Sequence, residues 1–118
     1  MSDATHLSAL EAANLLAGQA VADAEAYLAG QRDAKACAAS GESLWRATLA
    51  LRNPETSRIL DPVRMLATVM VRISRSDTDA RRNRWRLVLA ALVDLVRHES
   101  LALRAAAPAA ISNQGEAS

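Results

Sequence analysis

The chain has 118 residues, a net charge of +1 and a single cysteine, Cys37. That length suits one domain with one core, and a lone cysteine excludes an internal disulfide. Alanine, leucine and arginine dominate, phenylalanine is absent, and the only aromatic residues are Tyr27, Trp45 and Trp85. Such a composition favours helix over strand. Four glycines and three prolines leave few places for turns, so the elements should be few and long. Charge is uneven: residues 1–45 carry −4, residues 46–86 carry +6, and the remainder −1. Thirteen of the fourteen basic residues are arginine. This polarity can orient two copies or attract an acidic partner. The start, Met1 to His6, lacks the positive opening of a secretory signal. The strongest apolar run, Leu87 to Val93, falls short of the ~20 residues of a membrane span. A soluble, cytoplasmic chain without membrane contact is expected.

Ser8-Ala9-Leu10-Glu11 has capping-box spacing and predicts the start of a first long helix. From there Leu7, Leu10, Asn14, Ala17, Val21, Ala24 and Leu28 recur at alternating steps of three and four. This is a heptad seam, with Leu7, Asn14, Val21 and Leu28 at position a. An asparagine at a can pair with its copy in a second chain and fix register; the alternative is a wet edge of packing within one chain. A ridge of small residues, Gly18, Ala22, Ala26, Gly30, Ala34 and Ala38, would let another helix approach closely. Gly30 permits a bend, and Gly41 is the expected terminator.

A shorter helix is predicted over 42–52, with Leu44, Ala47, Thr48 and Leu51 inward and Trp45 and Leu49 on its shoulder. Asn53-Pro54 stops it and opens a turn; Asp61-Pro62 repeats the device and opens a helix to Arg75. Val63, Leu66, Met70 and Ile73 should be buried there, with Met65 and Val69 as a second apolar edge. The last helix is expected over 77–107, capped by Ser76 and Asp79 and ended by Pro108. Trp85, Val88, Leu89, Leu92, Val96 and Leu103 share one side, and Leu87, Ala91, Leu95 and Ala102 widen the apolar surface beyond a one-sided stripe. Residues 108–118 read as a disordered tail, leaving 1–107 as one helical domain.

The expected fold is all-α: a small bundle of two long helices and two short ones. The short pair cannot cover both long apolar faces, so a homodimer through the long helices, or another protein, is expected to cover the rest.

Chemistry is sparse. No metal, phosphate-loop or nucleophile motif occurs, and neither an enzyme nor a cofactor is expected. Asp94 and His98, four apart, read as a helical ion pair; orienting an imidazole or holding a metal is the sharper alternative. Cys37 reads as a small buried thiol. Two partner classes stay open. As a protein-binding surface, the last helix would offer Trp85, Leu92 and Leu95 as anchors, with Arg86 and Arg97 at the rim. As a nucleic-acid surface, Arg72, Arg75, Arg81, Arg82 and Arg84 would contact phosphate, with residues 72–86 forming a helix-turn-helix that turns Asn83 or Arg84 to base edges. Against the second, those arginines spread around their helix, and Asp77 and Asp79 sit where phosphate would approach.

In size, helical pattern and sparse chemistry, and on the seam from Leu7 to Leu28 and the apolar helix from Trp85 to Leu103, the chain resembles the small antiactivators of bacterial quorum-sensing transcription factors. That resemblance implies a regulator as partner, bound so that it can no longer dimerise or hold DNA. No motif matches position by position, so no functional residue is carried over. The chain is also similar, more weakly, to small helical subunits of RNA-guided defence complexes, which hold nucleic acid through arginines.

Overall fold

The computed structural model describes the backbone of residues 8–117 and the side chains of residues 8–105. It is all-α: α1 (Ala9–Leu28), α2 (Ala34–Ala50), α3 (Ser57–Ser74) and α4 (Asp79–Ala117). Ser8 caps α1 as expected, its hydroxyl accepting from the Glu11 amide at 3.1 Å and donating to the Glu11 carboxylate.

The first helix ends earlier than the sequence suggested. Gly30 has φ +80°, the Gly30 amide donates to the Tyr27 carbonyl, and the Gln31 amide donates to the Ala26 carbonyl at 2.8 Å. This pattern is a Schellman stop, which requires a left-handed residue that glycine adopts without strain. Asp33 then caps α2 through the Ala36 amide at 2.8 Å. Gly41 is no terminator. It lies inside α2, where an added Cβ would stand 2.7 Å from the Ala67 carbonyl oxygen and 2.9 Å from the Met70 Cβ. The expected order of two long helices with two short ones between them becomes three helices of 17 to 20 residues and one of 39.

Thr56 ties the α2–α3 turn. It is fully buried, its hydroxyl donates to the Leu51 carbonyl at 2.9 Å, and Asn53 accepts from its amide. α3 therefore starts at Ser57, and Pro62 sits inside it rather than opening it. The carbonyl that Pro62 leaves without an amide is that of Arg58, in the first turn of the helix, where water can replace the lost donor. Thr78, rather than Ser76, caps α4 by accepting from the Arg81 amide at 3.1 Å. α4 also continues through Pro108 to Ala117, beyond the stop expected at Ala107. The expected disorder of the tail concerns residues whose side chains lie outside the described part.

α3 is central: its Leu60, Val63, Leu66, Met70 and Ile73 are buried, as are Leu89, Val93 and Val96 of α4. α1 meets every other helix, and α2 and α4 alone do not touch. The face of α1 that enters the core is Ala13, Ala17, Ala20, Ala24 and Tyr27. Small side chains allow a close approach there, but on a different face from the expected ridge: Gly18 and Ala22 are exposed. Of the seam, Ala17 and Ala24 are buried, Val21 and Leu28 pack partly on the core, and Leu7 lies outside the described residues. Asn14 accepts from the Ser100 hydroxyl of α4. From Asn14 to Leu28 the seam residues thus pack against other parts of the same chain.

Candidate interaction groove

Since α2 and α4 do not meet, each side of α3 has a cleft between them. One cleft is filled by α1. The other is an open groove of about 1050 Å³. At 100° per residue, Ala67, Thr68, Val71 and Arg72 of its floor lie across α3 from Leu66, Met70 and Ile73 of the core. One wall comes from α2, with Glu42, Trp45 and Arg46. The other comes from α4, with Arg81, Arg84, Trp85 and Val88. Arg75 and Ser76, at the α3–α4 turn, close one end. Ala67, Val71, Val88 and the two indoles give it a largely apolar lining.

Both tryptophans are held by arginines of α3. The Arg64 guanidinium lies 5.5 Å from the Trp45 ring centre, and that of Arg72 lies 5.7 Å from Trp85. A cation on an aromatic face stabilises both groups and restrains the indole. Trp45 is 39% exposed, so it is a wall and not core. Arg64 itself is half-buried, and its Nε has no hydrogen-bond partner.

The charges of the groove are unbalanced. Five arginines line it against one carboxylate, Glu42. Arg81 is paired with Asp77 at 3.2 Å. Among the described residues, Arg46, Arg72, Arg75 and Arg84 belong to no ion pair. Four guanidinium groups around one apolar floor raise the local potential and attract anionic groups.

The groove unites part of the sequence's two candidate surfaces and divides the rest. Arg72, Arg75, Arg81 and Arg84 converge on it, as does Trp85. Arg82 does not: it donates to Asp79 at 2.9 Å and to the Ser76 carbonyl. The expected rim residues Arg86 and Arg97 are clasps on α1. Arg86 donates to the Leu28 carbonyl at 3.3 Å and stacks 5.3 Å from the Tyr27 ring centre, while Arg97 is ion-paired with Glu25. Leu92 is 8% exposed and belongs to the core, so it is no anchor, and Met70 is fully buried. Leu95, 39% exposed, shares an outward stripe of α4 with Leu87, Val88 and Ala91, and Val88 joins that stripe to the groove.

The helix-turn-helix geometry is not adopted. Arg58, at the start of α3, pairs with Glu99 at 2.7 Å, and Arg72, near its end, stacks on Trp85. α3 and α4 thus run antiparallel along their length, whereas that motif crosses its helices at ~90–120°. Asp94 and His98 are both exposed and form no ion pair with each other. Among the described residues, no group of three or more His, Cys, Asp or Glu could hold a metal, and no helix is long and apolar enough to cross a membrane.

Cys37 is fully buried against the core. Burial, reinforced by the nearby Asp23 carboxylate and opposed by Arg32, pushes its thiol up to about 11. Asp23 is itself buried and accepts from Gln19 at 2.8 Å and Arg32 at 3.1 Å. Residue spacing alone shows neither this knot nor the Arg64 stack on Trp45, and it does not place Arg46 and Glu42 in the groove. The available signal was Trp45 on the shoulder of its helix, where a core tryptophan would not stand. Comparison with protein-family models, curated proteins and solved structures finds no match to the chain.

Proposed function

We propose that this protein is a non-catalytic interaction module that captures another protein at the groove between α2 and α4 and withholds that partner's own interface. The observation that carries the reading is the apolar strip of Ala67, Val71 and Val88 ringed by four arginines that belong to no ion pair among the described residues. Protein interfaces favour this pairing of buried apolar area with arginine and tryptophan. The outward stripe of Leu87, Val88, Ala91 and Leu95 enlarges the apolar surface beside it. An antagonist needs no more: it occupies the patch its target uses, and the free target is depleted by mass action. A transcription regulator as the target, and hence an antiactivator role, is the specific form of this reading.

The test begins with affinity capture from native extract and identification of the partner by mass spectrometry. The double variant Arg75→Glu/Arg84→Glu changes two exposed side chains and should keep its helical circular dichroism and melting temperature. It should lose the partner at least ~30-fold in affinity. A folded variant that still binds fully would move the interface elsewhere.

A nucleic-acid partner is the second reading, favoured by the convergence of Arg72, Arg75, Arg81 and Arg84. It requires affinity for DNA or RNA that falls log-linearly with salt, with a slope reduced by about one for each arginine removed. The mainly apolar floor, and indoles already faced by guanidinium groups, favour the protein reading.

A further inference from the structure

We infer that the groove takes an amphipathic α-helix of the partner, apolar on the face that enters and acidic along both flanks; this rests on the interaction reading above and specifies the occupant. The first argument is from shape. α2 and α4 stand far enough apart to admit a whole helix, because α1 fills the cleft between them on the other side of α3. The groove opens between the same two helices. At about 1050 Å³ it stands at the top of the ~300–1,000 Å³ range of ligand pockets. A trough with helical walls is the receptor geometry of helix-in-groove recognition, which reads apolar anchors at i, i+3 or i+4 and i+7.

The second argument is from charge. α1, in the filled cleft, brings Glu25 to meet Arg97 of α4. The open cleft has one lining carboxylate, Glu42, on the α2 wall, and it pairs with none of the arginines: Arg46 beside it and Arg72, Arg75 and Arg84 toward the α4 wall belong to no ion pair among the described residues. Cations stand on both sides of an apolar strip formed by Ala67, Val71 and Val88. The complementary ligand is an apolar stripe with carboxylates on either side, and one helix presents both at 3.6-residue spacing. A nucleic-acid strand would meet the arginines but leave that apolar strip without a partner.

The test uses the full-length protein and three probes in isothermal titration. The first is a twenty-residue helical peptide with a leucine–alanine face and glutamate flanks. The second is the same peptide with lysine flanks, and the third is a twenty-nucleotide single-stranded DNA. The glutamate peptide should bind at least ~30-fold more tightly than the lysine peptide and weaken as salt is raised. Arg75→Glu/Arg84→Glu, folded by circular dichroism, should lose that preference and gain affinity for the lysine peptide. This exchange of partners cannot follow from unfolding. Equal binding of the two peptides, or binding of the DNA alone, overturns the inference. If the protein partner is captured through the groove but its bound segment is not an acidic helix, the occupant is wrong while the interaction reading stands.

Discussion

The two clefts between α2 and α4 differ in what fills them. On the α1 side small side chains enter: Ala13, Ala17, Ala20 and Ala24 are fully buried, and the arginines are answered in place. Arg97 meets Glu25, and Arg86 meets the Tyr27 ring and the Leu28 carbonyl. On the groove side the walls are two tryptophans, and four arginines belong to no ion pair among the described residues. The filled cleft carries stability because its volume is used and its charges are compensated. The open cleft withholds both, and a surface left in that state is suited to a partner.

The sharpest way to break this comparison is to overfill the closed side. Ala17 has no exposed surface, so Ala17→Leu should cost about 3 kcal/mol in urea unfolding. Val88→Leu in the groove, where Val88 is 42% exposed, should stay within ~0.5 kcal/mol. Equal costs would mean that the two clefts are equally packed.

Gly41→Ala comes next. The new Cβ would meet the Ala67 carbonyl oxygen at 2.7 Å, forcing α2 from α3 at a cost of about 2 kcal/mol despite the better helix propensity. Because α2 is one wall of the groove, partner affinity should fall along with the melting temperature.

Cys37 reports on the closed side through pH. Its thiol is neutral in the fold up to about 11, against 9.0 without burial. The folded state therefore holds its proton longer than the unfolded state does. The contribution is full below pH 9.0, decreases as pH rises toward about 11, and is gone above it. Urea midpoints across that range should fall more steeply for the native protein than for Cys37→Ala. At pH 8 iodoacetamide should label the thiol only on unfolding.

The smallest effects come from the periphery. Arg97→Ala removes an ion pair about half exposed on each partner and should cost under ~1 kcal/mol, decreasing with salt. Gly18→Ala should instead stabilise by ~0.5–1 kcal/mol, since nothing lies within 4 Å of the added Cβ. The two shifts, opposite in sign, are read from the same denaturation series.

Much of the fold was legible in the sequence, for reasons that separate the cases. Ser8, Val63, Leu66, Met70 and Ile73 follow from capping and from helical period alone, and the structure places each as expected. Gly30 and Gly41 were exchanged in role because both are glycines in alanine-rich helix. Only Gly30 is followed by an aspartate at the next cap position, Asp33, and the tight α2–α3 crossing that needs Gly41 is a long-range fact. Pro62 misled for a similar reason: an Asp-Pro pair marks a helix start locally, and the Thr56 knot overrides it. For the site, clustering along the chain marks the arginines of 72–84, but not the convergence of Arg72, Arg75, Arg81 and Arg84, which depends on α3 and α4 folding back antiparallel. Arg86 and Arg97 were assigned to the rim because the sequence could not say which side of α4 meets α1.

The most direct test follows the two indoles, since Trp45 and Trp85 are the only tryptophans in the chain and stand on opposite walls of the groove. In the single-tryptophan variants Trp45→Phe and Trp85→Phe, titration with the glutamate-flanked helical peptide should shift the emission of the remaining indole to the blue in both proteins. The midpoints of the two titrations should agree. Binding that leaves both emissions unchanged would place the partner outside the cleft between α2 and α4 and contradict the account.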